Sequence, residues 1–155
     1  MDQQKSNFIR EGQFDLLNKL DPAAIPSWGK MNAQQMVEHV TAFFKVSTEK
    51  IKFPLVTPEE HLPKYKEFLL SDKPFRENTK APADVIPDDP LPLHYADLPT
   101  AVEKMKKEVE HFYSLFESNE PLMTLHPVFG SLNFEEWVLL HYKHVQHHLR
   151  QFGLV

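Results

Sequence analysis

Proline placement sets the tightest limit on what this chain can fold into. Of its 13 prolines, eight stand between Ile51 and Asp97, at positions 54, 58, 63, 74, 82, 87, 90 and 92. A proline lacks a backbone N–H and disfavours helix in the residue before it, so this stretch is neither one long helix nor a central strand. It is predicted to be an extended connection carrying one short helix, Pro63 to Leu70, with its most loop-like section from Lys80 to Leu93. The proline-poor remainder divides into four helical patterns and no convincing strand. The first runs from about Ser6 to Leu20, with Phe8, Ile9, Leu16, Leu17 and Leu20 at helical spacing. The second starts at Asn32, where Gln35 completes an N-x-x-Q capping box, and continues with Ala33, Met36, Val40, Phe43 and Phe44. The third follows Asp97 and Pro99 along Val102, Met105, Val109, Phe112 and Phe116. The fourth begins at Asn133, capped by Glu136, and ends near Gly153. These patterns predict an all-α single domain over residues 1–155, a four-helix bundle with a long proline-rich crossover between the second and third helices.

Composition then narrows the function classes. Lys and Arg total 17 against 22 Asp and Glu, a net charge of −5 that disfavours a sequence-independent grip on nucleic acid. Nine histidines make that charge strongly pH-dependent below neutrality. The absence of cysteine excludes disulfides, thiolate metal sites and a cysteine nucleophile. The longest apolar runs, such as Trp137 to Leu140, fall far below the ~20 residues of a membrane span, and Met1 to Lys5 form no signal-peptide core. A soluble cytoplasmic protein that binds neither nucleic acid nor membrane is expected, and a homodimer is among the assemblies open to it.

The chemistry concentrates in the fourth helix, where His141, His144, His147 and His148 fall within eight residues. At about 100° per residue, His148 and His141 lie inside the stripe formed by Trp137, Phe134, Val145 and Phe152. His144 lies at its edge, and His147 lies outside, towards the polar flank. Burying an unpaired imidazole is costly, so rings on an apolar stripe require a partner. A metal ion is one such partner and ordinary core hydrogen bonding is the other. His144 and His148 form an i,i+4 pair, whose Cβ atoms lie about 5–6 Å apart on one helix face and whose rings can share one ion. His141 is the rival for the place of His144. His39, on the shoulder of the second helix's stripe, is the best third ligand. His126, in the loop before the fourth helix, is more simply a packing residue, though it is also the nearest candidate for a fourth ligand. His61 and His94 belong to the proline-rich connection, and His111 to the third helix.

Two segments carry a resemblance. Trp28-Gly29-Lys30-Met31-Asn32-Ala33-Gln34-Gln35-Met36-Val37-Glu38-His39 is similar to the second-helix motif of DinB/YfiT-like proteins. His144-x-x-x-His148-Leu149-Arg150-Gln151 resembles their final H-x-x-x-H-R-x-Q-like motif, departing from it in that Leu149 stands between His148 and Arg150. The resemblance implies a four-helix bundle holding a divalent transition metal, zinc or nickel, through His39, His144 and His148. It further implies a metal-dependent hydrolase or thiol-transferase-like enzyme acting on a small organic substrate, in some relatives with a low-molecular-weight thiol. The alternative is a non-catalytic metal- or ligand-binding helical bundle. No general base stands out: Glu38 points about 100° away from His39, and Glu135 and Glu136 suit the first turn of their helix. Trp28, Phe43, Phe129 and Trp137 are candidate aromatic pocket walls. Gln35, Gln151, His126 and His141 are candidate polar groups around the pocket.

Overall fold

A computed structural model describes residues 1–155. The protein is mostly helical, with one small two-stranded sheet. The first helical stretch comprises α1 (Gln3–Asn7), a π-helical turn (Phe8–Gly12) and α2 (Gln13–Leu17). It starts earlier than the spacing of apolar residues predicts because Asp2 caps it, accepting from the Lys5 N–H. From the start of α2, the buried Gln13 amide folds back to donate to the Ile9 carbonyl in the π turn. Then come α3 (Ala33–Ser47), a 3₁₀ turn (Glu59–His61), α4 (Leu62–Leu70) and α5 (Leu98–Ser118). Strands β1 (Thr124–His126) and β2 (Gly130–Leu132) precede α6 (Phe134–Gln151).

Helix starts follow the local sequence. Asn32 and Gln35 form a reciprocal capping box on α3, and Asn133 and Glu136 form another on α6. Each satisfies two backbone donors that the first turn of a helix leaves unpaired. At α5, the Asp97 side chain accepts from the Thr100 N–H and Pro99 occupies the first turn, where its missing donor costs nothing. Between Ser47 and Leu98, the only regular structure is the 3₁₀ turn and α4, whose limits match the expected short helix to within one residue.

The sheet corrects the expectation that no strand forms. β1 and β2 pair antiparallel, with Thr124 opposite Leu132 and His126 opposite Gly130. Three-residue strands are too short for an alternating pattern to stand out, and this pairing is fixed from outside. Thr124 Oγ1 donates to the Ser47 carbonyl at the end of α3 (2.8 Å) and accepts from Trp137 Nε1 (2.8 Å). The Val56 N–H donates to the Pro127 carbonyl (2.8 Å), and Thr57 Oγ1 to that of Val128 (2.7 Å). The hairpin therefore stitches the C-terminus of α3, the proline-rich connection and α6 together.

The core lies where α3, α5 and α6 meet. Phe44 of α3 packs edge-on against Phe112 of α5, which also touches Phe116 and Phe134. His141 is stacked on Phe44 at 3.9 Å between ring centroids and on Trp137 at 5.3 Å. α6 also packs against α1 and α4, so several of its faces are covered. No helix is long and apolar enough to cross a membrane. Replacing Asn133 with Ala removes the side-chain half of the α6 cap and is expected to lower the unfolding free energy by about 1 kcal/mol. Urea denaturation should register this as a lower midpoint at unchanged slope.

Candidate metal centre

Three of the four α6 histidines have distinct surroundings, and these separate a core histidine from a converging cluster. His141 Nε2 lies 3.0 Å from Ser47 Oγ, which donates its single proton to the Phe44 carbonyl (2.7 Å). The hydroxyl can therefore only accept from the ring, so His141 carries its proton on Nε2. Burial, with His126 adding to it, holds its pKa well below the ordinary histidine value. His141 is thus a neutral, hydrogen-bonded core residue, and its Nε2 is engaged away from the other histidines.

His144 and His148 point instead towards α3. His144 Nε2 lies 3.0 Å from His39 Nε2 and 3.0 Å from His148 Nε2. The ligand atoms of His39, His144 and His148 all fall within 4.8 Å of one another, and no fourth imidazole or carboxylate joins the group. His148 is buried, while His39 and His144 each keep one edge open. Burial, reinforced by His147, pushes the His39 pKa down to about 4. Burial and the neighbouring imidazoles hold His144 and His148 well below the ordinary value. All three rings are neutral at neutral pH, the form in which an imidazole ligates.

The proton inventory of this cluster is incomplete in a telling way. Gln151 Nε2 donates to the Trp28 carbonyl (2.8 Å), an acceptor only, which orients the amide and leaves Oε1 facing His148 Nδ1 at 2.7 Å. His148 must therefore donate from Nδ1, so its Nε2 is a bare lone pair. His144 Nε2 has at most one proton to share between two close nitrogens, so at least one of the two 3.0 Å contacts cannot be a hydrogen bond. A cation among the three nitrogens removes the conflict. Tetrahedral ligands at the usual zinc–nitrogen distance lie about 3.3–3.4 Å apart, close to the separations seen here. The residues present therefore fit a metal ion.

Positioning comes from three separate places in the chain. The i,i+4 spacing on α6 brings His144 and His148 together, and the capped α3 delivers His39 from across the core. The Ser27–Gly29 turn contributes the Trp28 carbonyl and a second tie, the Ser27 N–H to the Gln151 carbonyl (2.8 Å). Gly29 has φ +78°, and a Cβ there would sit 2.8 Å from Gln151 Nε2, so this turn has no room for a side chain. Gly29 stands in the Trp28–His39 motif, but helical periodicity gives it no role, although a glycine right after a tryptophan in a chain with only four glycines is a usable signal.

The remaining candidates divide between the site's surroundings and other duties. Phe43 packs on both His39 (5.3 Å) and His144 (5.0 Å) and stacks on His126 (5.9 Å). His126 Nδ1 accepts from the Val128 N–H (3.0 Å) and the Phe129 N–H (3.2 Å), so it braces the hairpin turn, and burial pushes its pKa down to about 3. Phe129 lies beside His126 at 5.2 Å. Trp28 packs on His147 at 5.3 Å. Gln35 is placed elsewhere, its side-chain oxygen accepting from the Asn32 N–H in the α3 cap (2.9 Å). Trp137 is fully buried and tied to Thr124, which makes it core. His147 departs from its expected polar position. It is buried because Trp28 and Phe75, from distant parts of the chain, cover that flank of α6. Glu38 holds the Gln34 amide (3.0 Å) and the His94 N–H (2.6 Å) on its two oxygens. His61, His94 and His111 are exposed.

The sequence pattern of the DinB superfamily matches residues 13–152. The chain belongs to the DinB superfamily. The match spans α2 through α6 and includes all three clustered histidines. No curated protein and no solved structure matches this superfamily member.

The buried histidines give this DinB protein a defined acid sensitivity. A histidine whose folded pKa lies near 4 or 3 binds fewer protons folded than unfolded between that value and about 6.5. Its contribution to stability is complete above pH ~6.5 and is lost as pH falls towards the folded values, at about 1.4 kcal/mol per pH unit for each histidine. Chelator-treated protein, followed by circular dichroism, is expected to unfold in acid between roughly pH 6 and 4. Equal stability at pH 4 and 7 would contradict neutral burial.

Proposed function

We propose that this protein is a metalloenzyme whose divalent transition metal, zinc or nickel, is held by His39, His144 and His148. One observation carries the reading: three neutral imidazoles converge through Nε2 atoms that cannot all be satisfied by protons. Gln151 supports it from behind, because a ligating histidine works best when its second nitrogen is hydrogen-bonded and its tautomer fixed. When bound, such a metal supplies a Lewis acid that polarises a carbonyl or lowers the pKa of water or a thiol. The chain's own contribution is orientation and exclusion of water. α3 and α6 hold the ligands, Gln151 sets the His148 ring, and Phe43 walls one side.

The absence of a fourth protein ligand favours an exchangeable coordination position over a purely structural ion. On that basis we assign hydrolase or thiol-transferase-like chemistry on a small organic substrate, with a low-molecular-weight thiol as co-substrate in the second case. We read the fold as a four-helix bundle of the first helical stretch, α3, α5 and α6, with residues 48–97 as its crossover. The packing of α3 on α5 and α6, and of α1 on α6, supports this arrangement.

Protein purified without a nickel column is expected to contain about one metal ion per chain by elemental analysis, and His148→Ala essentially none. Gln151→Ala should keep the ligands and weaken metal affinity about 10–100-fold. Equal metal content in wild type and His148→Ala overturns the ligand assignment. A panel of esters, amides and electrophile–thiol pairs tests the chemistry. Activity on metal-loaded protein should disappear in His39→Ala, and activity that survives this substitution places catalysis elsewhere.

A further inference from the structure

Beside the histidine cluster lies an open groove of about 990 Å³ whose lining is chemically lopsided. Its apolar surface comes from four rings, Tyr65 and Phe68 of α4, Phe75 of the proline-rich connection and Phe129 of the hairpin. Tyr65 and Phe75 stand edge-on to Phe129, at 5.7 and 6.5 Å, and Phe68 stacks on it at 6.4 Å. Three cations, Lys64, Lys73 and Arg76, line it together with His61, Pro74 and Thr79, and no carboxylate does. Nearby Lys66 and Lys80 are ion-paired, to Glu136 and Asp88. Lys64, Lys73 and Arg76 have no carboxylate partner. In a chain of net charge −5, a carboxylate-free wall with three unpaired cations is a local reversal of sign.

The groove and the cluster are linked through intervening rings, without sharing a lining residue. Phe129 lies 5.2 Å from His126, which stacks on Phe43, and Phe43 packs on His144. On the other side, Phe75 lies 6.0 Å from His147, which touches His148 at 5.0 Å. From the aromatic floor, the unpaired cations and this adjacency, we infer that the groove binds a small molecule with a planar apolar body and an anionic group. The body lies on the rings, and the anion faces Lys64 and Arg76. Stacking on aromatic surface gives affinity without fixing orientation, and the cations fix it by pulling the charged end to one side. This inference rests on the metal reading only for its meaning, as the substrate class presented to that centre. Its binding chemistry is independent of the metal.

The test uses 2-naphthoate and its uncharged counterpart 2-naphthalenemethanol, titrated by calorimetry against full-length protein at low ionic strength. Saturable binding of 2-naphthoate is expected, at least about fivefold tighter than the alcohol and weakening as salt is added. The double variant Lys64→Gln/Arg76→Gln should lose about tenfold in naphthoate affinity, with alcohol binding and melting temperature unchanged. His144→Ala, checked for its melting transition, should retain naphthoate binding while losing metal by elemental analysis. Equal affinity for the two probes, no saturable naphthoate binding, or no loss in the double variant overturns the groove assignment and leaves the metal reading standing. Loss of naphthoate in His144→Ala but not in the double variant also overturns it, because the carboxylate then sits at the histidines. Wild type that binds naphthoate through Lys64 and Arg76 but takes up no zinc or nickel when reconstituted with either ion overturns the metal reading alone.

Discussion

A neutral imidazole has one donor and one acceptor, and the roles of His141 and His148 are governed by which of the two is already taken. Ser47 has given its proton to a backbone carbonyl and so must accept from His141. The amide of Gln151 faces the Trp28 carbonyl and so must accept from His148 Nδ1. The first constraint turns a histidine into core. The second turns one outwards with a bare lone pair. Both depend on residues far from the histidines in sequence, Ser47 directly and Trp28 through Gln151. The burial of α6 would be unfavourable without these partners, since unpaired polar rings cost about 1–3 kcal/mol each.

Around that pattern, the molecule is layered. A hydrophobic interior built on Phe44, Phe112 and Trp137 holds α3, α5 and α6 in register. That register places His39 opposite His144 and His148. The hairpin and the Ser27–Gly29 turn then close the ends, one bracing Ser47 through Thr124, the other bracing Gln151 through Trp28. Because the bracing groups lie outside the helices, the geometry of the cluster depends on short loop segments as well as on the packed interior. Gly29 illustrates the tightness of that arrangement, since a single Cβ would intrude on the Gln151 amide.

Charge is distributed with similar locality. The chain as a whole is acidic, and its surface pairs, such as Lys50 with Glu108 and Arg10 with Glu117, are partly exposed and contribute little stability each. The groove over Phe129 is the exception, with three cations and no acid. Net charge argues about encounter with polyanions and about solubility. It does not constrain a patch of ten residues, and the global figure hides this one.

Much of the framework is legible in the sequence, because its causes are local. The capping boxes at Asn32 and Asn133, the Asp97–Pro99 start and the short α4 each follow from residues within four positions of one another. So does the His144/His148 pair, which is a property of helical pitch. What needed the tertiary structure is whatever a distant segment completes. The three-residue strands exist because Ser47, Val56 and Trp137 hold them. His147 is buried because Trp28 and Phe75 reach over it, and Gln35 belongs to its cap while Gln151 belongs to a histidine. The choice between His141 and His144 turns on a serine hydroxyl 94 residues before the first of them. Helical periodicity can place an imidazole on a face, but only packing decides which partner meets each nitrogen, because that partner comes from elsewhere in the chain.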